Sequence, residues 1–213
     1  PKPMVEIGGR PILWHIMKIY SHYGVNDFVI CCGYKQQVIK DYFANFFLYN
    51  SDVTLDLSNN SMEIHNSTSE NWRVTLVDTG LDTFTGGRLK RVQPYVGHER
   101  FFLTYGDGVA DINIEDTLTA HIEAGKKLSM TVYQPQGKLG VVDIDDTGDV
   151  KGFIEKPRSG GNWINAGFFV CEPEVFDVLE GDHEMFEQEP TQKLVAENEV
   201  HAFKHFGFWR PMD

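Results

Sequence analysis

Phe101-Phe102-Leu103-Thr104-Tyr105-Gly106-Asp107-Gly108-Val109-Ala110-Asp111, residues 101–111, is the stretch around which the rest of the chain is arranged. Its first five residues are an apolar, β-favouring run, and the chain then breaks at Gly106-Asp107-Gly108, which predicts a buried strand ending in a carboxylate. In open α/β sheets ligands bind beyond the carboxyl ends of strands, and flanking glycines let a ligand approach the backbone closely. On this stretch alone a plain turn and a binding site are equally supported.

Upstream, Pro11 at a first helical position, followed by Ile12, Leu13, Trp14, Ile16, Met17, Ile19 and Tyr20, predicts an apolar helix stopped by Gly24. A strand is expected over Asp27–Cys32, a helix over Lys35–Leu48, and a hairpin or an inserted β-excursion from Val53–Leu57 and Met62–His65. A strand over Val74–Val77 and a short helix from Thr85 to Val96 lead into residue 101. Downstream, Ile114–Ala124 carries Ile114, Leu118 and Ile122 on one stripe and ends at Gly125, a helix with a glycine cap.

From Leu128 the pattern changes. Leu128–Gln134, Gly140–Ile144, Val150–Glu155 and Trp163–Cys171 read as strands with short links, followed by helices over Pro173–Leu179 and Phe186–Glu197 and a last strand over Val200–Phe206. The expected fold is therefore α/β: one Rossmann-like domain over residues 1–213, a mixed, mainly parallel sheet flanked by helices, with an antiparallel, strand-rich second half. The helix at Pro11 has no strand feeding it, and a bare central sheet edge is an aggregation hazard. With no initiator Met at the start, a strand and loop upstream of Pro1 are expected.

Composition bounds the partners. The 213 residues, 41% of them hydrophobic, suffice for a packed core. A net charge of -12 argues against a nucleic-acid binder, although a phosphorylated small molecule needs only a few cations in one pocket. No apolar run approaches the ~20 residues of a membrane span, and no secretory signal pattern is present. Cys31, Cys32 and Cys171 read as small core residues of a cytoplasmic protein, and the eight histidines show no metal-ligand spacing. Asp111 reads as a helix-start residue.

Six motifs in order, Pro1-Lys2-Pro3-Met4, Thr85-Gly86-Gly87-Arg88, Tyr105-Gly106-Asp107-Gly108, Glu155-Lys156-Pro157, Asn165-Ala166-Gly167 and Trp209-Arg210-Pro211-Met212-Asp213, together resemble the sugar-1-phosphate nucleotidylyltransferase family. The resemblance spans essentially the whole chain and points to the branch that uses CTP and glucose 1-phosphate. It implies the nucleotide-diphospho-sugar transferase fold, with a nucleotide half over about residues 1–127 and a sugar-phosphate half over about 128–213. It also implies assembly into a homo-oligomer. The family's N-terminal G-G-x-G-T-R loop does not occur in these 213 residues, so the reading expects it upstream, where backbone N–H groups would cradle phosphate.

The implied chemistry is attack by the sugar phosphate on the α-phosphorus of CTP with release of pyrophosphate, which needs alignment and charge neutralisation more than acid–base work. The resemblance assigns Mg²⁺ as cofactor, with Asp107 and Asp213 as ligands. Lys2 would meet the triphosphate and the incoming sugar phosphate. Thr85, Gly86 and Arg88 would contact the nucleotide, and Gly140, Glu155, Lys156 and Asn165 the sugar phosphate.

Overall fold

Alternation of strand and helix dominates the first 125 residues. The computed structural model of the chain describes residues 1–135, 141–147, 149–154 and 162–212. In order they form β1 (Glu6–Ile7), β2 (Arg10–Pro11), α1 (Ile12–His22), β3 (Asp27–Cys32), α2 (Gln36–Ala44), α3 (Phe46–Tyr49), β4 (Ser51–Asp56), β5 (Ser61–Ser67), β6 (Arg73–Asp78), α4 (Thr85–Val96), β7 (Phe101–Thr104), β8 (Gly108–Ala110) and α5 (Ile114–Ala124). There follow β9 (Leu128–Tyr133), β10 (Val141–Ile144), β11 (Val150–Ile154), β12 (Ile164–Cys171), a 3-10 turn over Pro173–Val178, α6 (Glu189–Ala196), β13 (Val200–His205) and β14 (Trp209–Pro211).

The sheet is mixed. β3 and β6 pair in parallel, and a four-stranded sheet runs β13-β9-β12-β7. In it β12 is antiparallel to both neighbours and β13 is parallel to β9. Alternation along β12 organises the core: Ala166 and Phe168 pack with Ile12, Ile16 and Tyr20 of α1, while Phe169 and Cys171 pack with Leu89 and Val92 of α4 and Leu194 of α6. Successive strand residues face opposite layers, so β12 is sandwiched between helices and each fully buried Phe or Leu contributes about 1.5–3 kcal/mol. β3 repeats the pattern, with Cys31 against the α4 layer and Cys32 against α1 and Ile39 of α2. All three cysteines are free thiols, and burial pushes Cys31 up to about 11.

Local signals explain the helices. In α5 the Asn113 side chain accepts from the Asp116 N–H, Glu115 and Asp116 sit in the positive first turn, and Gly125 closes the helix in the left-handed region at φ 59°. Asn113, not Asp111, is therefore the helix start. Asp111 instead has Oδ1 3.0 Å from His205 Nε2, and its N–H donates to the Phe208 carbonyl just before β14. Pro11 caps α1 rather than opening it, because its extended ψ of 151° belongs to the β1–β2 hairpin. The helix expected over Lys35–Leu48 breaks at Asn45, whose side-chain amide donates to the Asp41 carbonyl and so competes with the backbone. The last helix begins at Glu189 with Pro190 in its first turn, three residues later than expected.

β7 is half-buried rather than buried, since among the described residues only β12 bonds to it. No helix among the described residues is long and apolar enough to cross a membrane.

Candidate active site

Beyond β7 the chain turns at Gly106-Asp107 and re-forms as β8, so the expected Gly-Asp-Gly turn opens directly into a strand. β8 pairs antiparallel with β14, Gly108 opposite Pro211, and the Met212 N–H donates to the Asp107 carbonyl at 2.7 Å. The N-terminal turn closes from the other side: Gly106 lies so near Pro3 that a Cβ there would come within 2.9 Å of the proline ring. Lys2 Nζ stands 3.9 Å from Asp107 Oδ2. A pair this exposed adds little stability; its consequence is a cation and a carboxylate held side by side.

Next to Asp107 is a cavity of about 230 Å³ lined by Tyr105, Asp107, Asn165, Gly167 and Trp209 among others. Trp209 Nε1 donates to the Ala166 carbonyl at 2.8 Å and fixes the wall between β14 and β12. The Tyr105 ring lies on Gly167, where a Cβ would approach Cδ2 to 2.7 Å, and the left-handed φ of +79° there also favours glycine.

Arg88 occupies a second corner. Nη1 donates to Thr79 Oγ1 at 2.7 Å and Nη2 to the Leu81 carbonyl, and the guanidinium rests on Gly33, whose absent side chain makes its room. Gly33 and Thr79 follow directly on β3 and β6, so the cation sits at the carboxyl ends of a parallel pair, where such sheets receive ligands. Gly86 meets protein rather than open space: its N–H donates to the Glu184 carbonyl at 3.0 Å and a Cβ would strike Glu184. The Thr85 hydroxyl accepts from the Phe186 N–H and donates to Glu187 Oε2.

That last contact exposes a residue with no part in the sequence reading. Glu187 accepts from Thr85 with one oxygen and from the Tyr105 hydroxyl with the other, while the Asn165 amide donates to Tyr105 at 3.1 Å. Burial first, and the bond to Glu187 second, raise the phenol far above its usual range and keep it protonated. The one signal available was Phe186-Glu187 standing just before Pro190, a residue that belongs in a first helical turn.

The structure thus gathers Lys2, Asp107 and Asn165 near one cavity and connects Thr85, at the head of α4, to it through Glu187 and Tyr105. Gly140, Glu155, Lys156 and Asp213 lie outside the described residues. Among the described residues no three His, Cys, Asp or Glu side chains are grouped to hold a metal ion.

The chain belongs to the nucleotidyl transferase family, whose sequence profile matches residues 1–210. Enzymes of this family generally work with a divalent metal. The chain is 55% identical over 214 residues to glucose-1-phosphate cytidylyltransferase of Salmonella typhi, covering 100% of this chain and 83% of that protein. It is 42% identical, at the same coverage, to the probable glucose-1-phosphate cytidylyltransferase of Bacillus subtilis. The fold is shared with HddC from Yersinia pseudotuberculosis complexed with GMP-PN, at TM-score 0.68, 20% identity, and coverage of 100% of this chain and 84% of that one. Apo UDP-glucose pyrophosphorylase superposes at TM-score 0.66 and 14% identity, over 100% of this chain and 85% of its own.

Proposed function

We propose that the protein joins CTP to α-D-glucose 1-phosphate, giving CDP-glucose and pyrophosphate. The observation that carries this reading is the 55% identity, across the entire chain, to an enzyme named for that activity. A phosphate oxygen of the sugar phosphate attacks the α-phosphorus of CTP in line, and pyrophosphate leaves with the electron pair of the cleaved P–O bond. The nucleophile is already an anion, so the protein's task is alignment and charge neutralisation. In this reading Lys2 offsets charge where the two phosphates meet, and Arg88 holds the triphosphate side. Thr85 and Gly86 shape the nucleotide wall through the loop they pack on, and the cavity at Asn165 takes the sugar, with Gly140, Glu155 and Lys156 as its further contacts.

Mg²⁺ fits this donor set. The Asp107 carboxylate is 35% exposed beside the cavity, and the hydrogen bond from Met212 anchors the residue next to Asp213 against Asp107; hard carboxylate oxygens suit that ion. Held by Asp107 and Asp213, it would supply positive charge to neutralise the α-phosphate.

In this reading residues 1–127 serve the nucleotide and 128–213 the sugar phosphate. The enzyme acts as a cytoplasmic homo-oligomer supplying a nucleotide sugar for surface polysaccharide. The alternatives keep the reaction with UTP, dTTP or another sugar phosphate, or reduce the protein to a nucleotide-sugar binding module.

Pyrophosphate release measured over CTP, UTP and dTTP with glucose 1-phosphate separates these. Preferred turnover of CTP is expected; equal use of UTP, or binding without turnover, would overturn the assignment.

A further inference from the structure

Two polar side chains from distant parts of the chain close on one carboxylate. Glu187 joins Thr85 at the first residue of α4, 102 positions away, to Tyr105 just past β7, 82 positions away. Through the Tyr105 hydroxyl the chain of bonds continues to the Asn165 amide, whose oxygen is itself fixed by the Gly167 N–H at 2.8 Å. With its oxygen on Gly167 and one N–H on Tyr105, Asn165 keeps one further N–H for the cavity it lines.

The two ends of this chain are not equally dependent on Glu187. The head of α4 is also tied to the 182–186 loop by the Phe84 and Gly86 N–H groups, which donate to the carbonyls of Asp182 and Glu184. The Tyr105 hydroxyl has, among the described residues, Glu187 as its only acceptor. Removing the carboxylate therefore leaves α4 in place and releases the tyrosine, and with it the amide that leans on it.

We propose that Glu187 is a positioning residue for the sugar-phosphate subsite: it acts through Tyr105 to hold the Asn165 amide in the orientation that meets a substrate hydroxyl. This rests on the cytidylyltransferase reading given above. Because a hydrogen bond misaligned by such a release weakens steeply, Glu187→Ala is expected to raise the KM for glucose 1-phosphate about tenfold and the KM for CTP by less than about threefold.

The test is steady-state kinetics in the full chain for the wild type, Glu187→Ala, Tyr105→Phe and the double variant, each with its unfolding midpoint. Glu187→Gln serves as the conservative form, since its amide oxygen still accepts from Tyr105, and it should recover most of the sugar-phosphate KM. If Glu187 works through Tyr105, the double variant is no worse than the poorer single one. A purely structural role would lower the unfolding midpoint and the active fraction without separating the two KM values. Wild-type turnover with an unchanged sugar-phosphate KM in Glu187→Ala, or losses that multiply in the double variant, overturns the inference alone. A wild-type protein that does not use this substrate pair sinks the functional reading, and this inference with it.

Discussion

Alanine at position 33 should damage nucleotide binding without unfolding the protein. A Cβ on Gly33 would lie 2.3 Å from Arg88 Nη1, 2.7 Å from Nη2 and 2.8 Å from Cζ. To regain ordinary contact at 3.4 Å, the guanidinium must retreat by about 1.1 Å. It can do so, because it is the far end of a flexible side chain, but the move breaks the 2.7 Å bond to Thr79. Losing that bond costs about 0.5–1.5 kcal/mol, and replacing a glycine whose φ is not left-handed returns roughly 0.4–1 kcal/mol through the unfolded chain. The free energy of unfolding in urea is therefore expected to stay within about 1 kcal/mol of wild type. Function has no such compensation, since a displacement of about 1 Å in a phosphate-holding cation costs up to about 100-fold. Pyrophosphate release at varied CTP should show the KM for CTP rising at least about tenfold, with glucose 1-phosphate saturation little changed. Wild-type dependence on CTP in a folded Gly33→Ala protein would refute the placement of Arg88 in the nucleotide site.

Gly87→Ala should do the reverse of an ordinary helix substitution. Alanine normally stabilises a helix over glycine, but here its Cβ would come within 2.5 Å of the Asp182 Cα, a backbone atom that cannot step aside. A loss of about 1–3 kcal/mol is expected, read as a fall of several degrees in Tm; a rise would mean the loop is not seated on α4. His121 supplies a pH signature. It is 1% exposed and bonded to Ser129 and Glu172, and burial lowers its pKa despite the carboxylate. The unfolded chain then binds the proton first as pH falls, so this contribution is complete above the unfolded value of about 6.5 and is lost below it. Unfolding free energy should drop more between about pH 7.5 and 5.5 in wild type than in His121→Gln, by up to about 1.4 kcal/mol per pH unit; equal drops would sink the assignment.

Elements whose causes lie within a few residues were legible in the sequence. β3 spans Asp27–Cys32 and α5 spans Ile114–Ala124 as read, because an apolar run bounded by breakers, or a stripe ended by a left-handed glycine, needs no distant partner. Where a nearby side chain competes with the backbone, as at Asn45, one continuous helical pattern covers two separate helices. The three-residue strands β8 and β14 were not legible. Neither Gly108–Ala110 nor Trp209–Pro211 is long enough to carry a pattern, and each exists because the other completes its hydrogen bonds.

Asp107 shows the division most plainly. That it follows a strand was legible in the sequence, since a β-favouring run broken by Gly-Asp-Gly predicts a strand ending in a carboxylate. That Lys2 lies 3.9 Å from it, and that the Met212 N–H reaches its carbonyl from the far end of the chain, only the tertiary structure decided. The same holds for Glu187, which the helical spacing puts in the last helix and the fold leaves two residues ahead of it, against Tyr105 and Thr85. Local propensity determines which residues end a strand or cap a helix. The packing of segments more than 80 positions apart determines which of those ends meet.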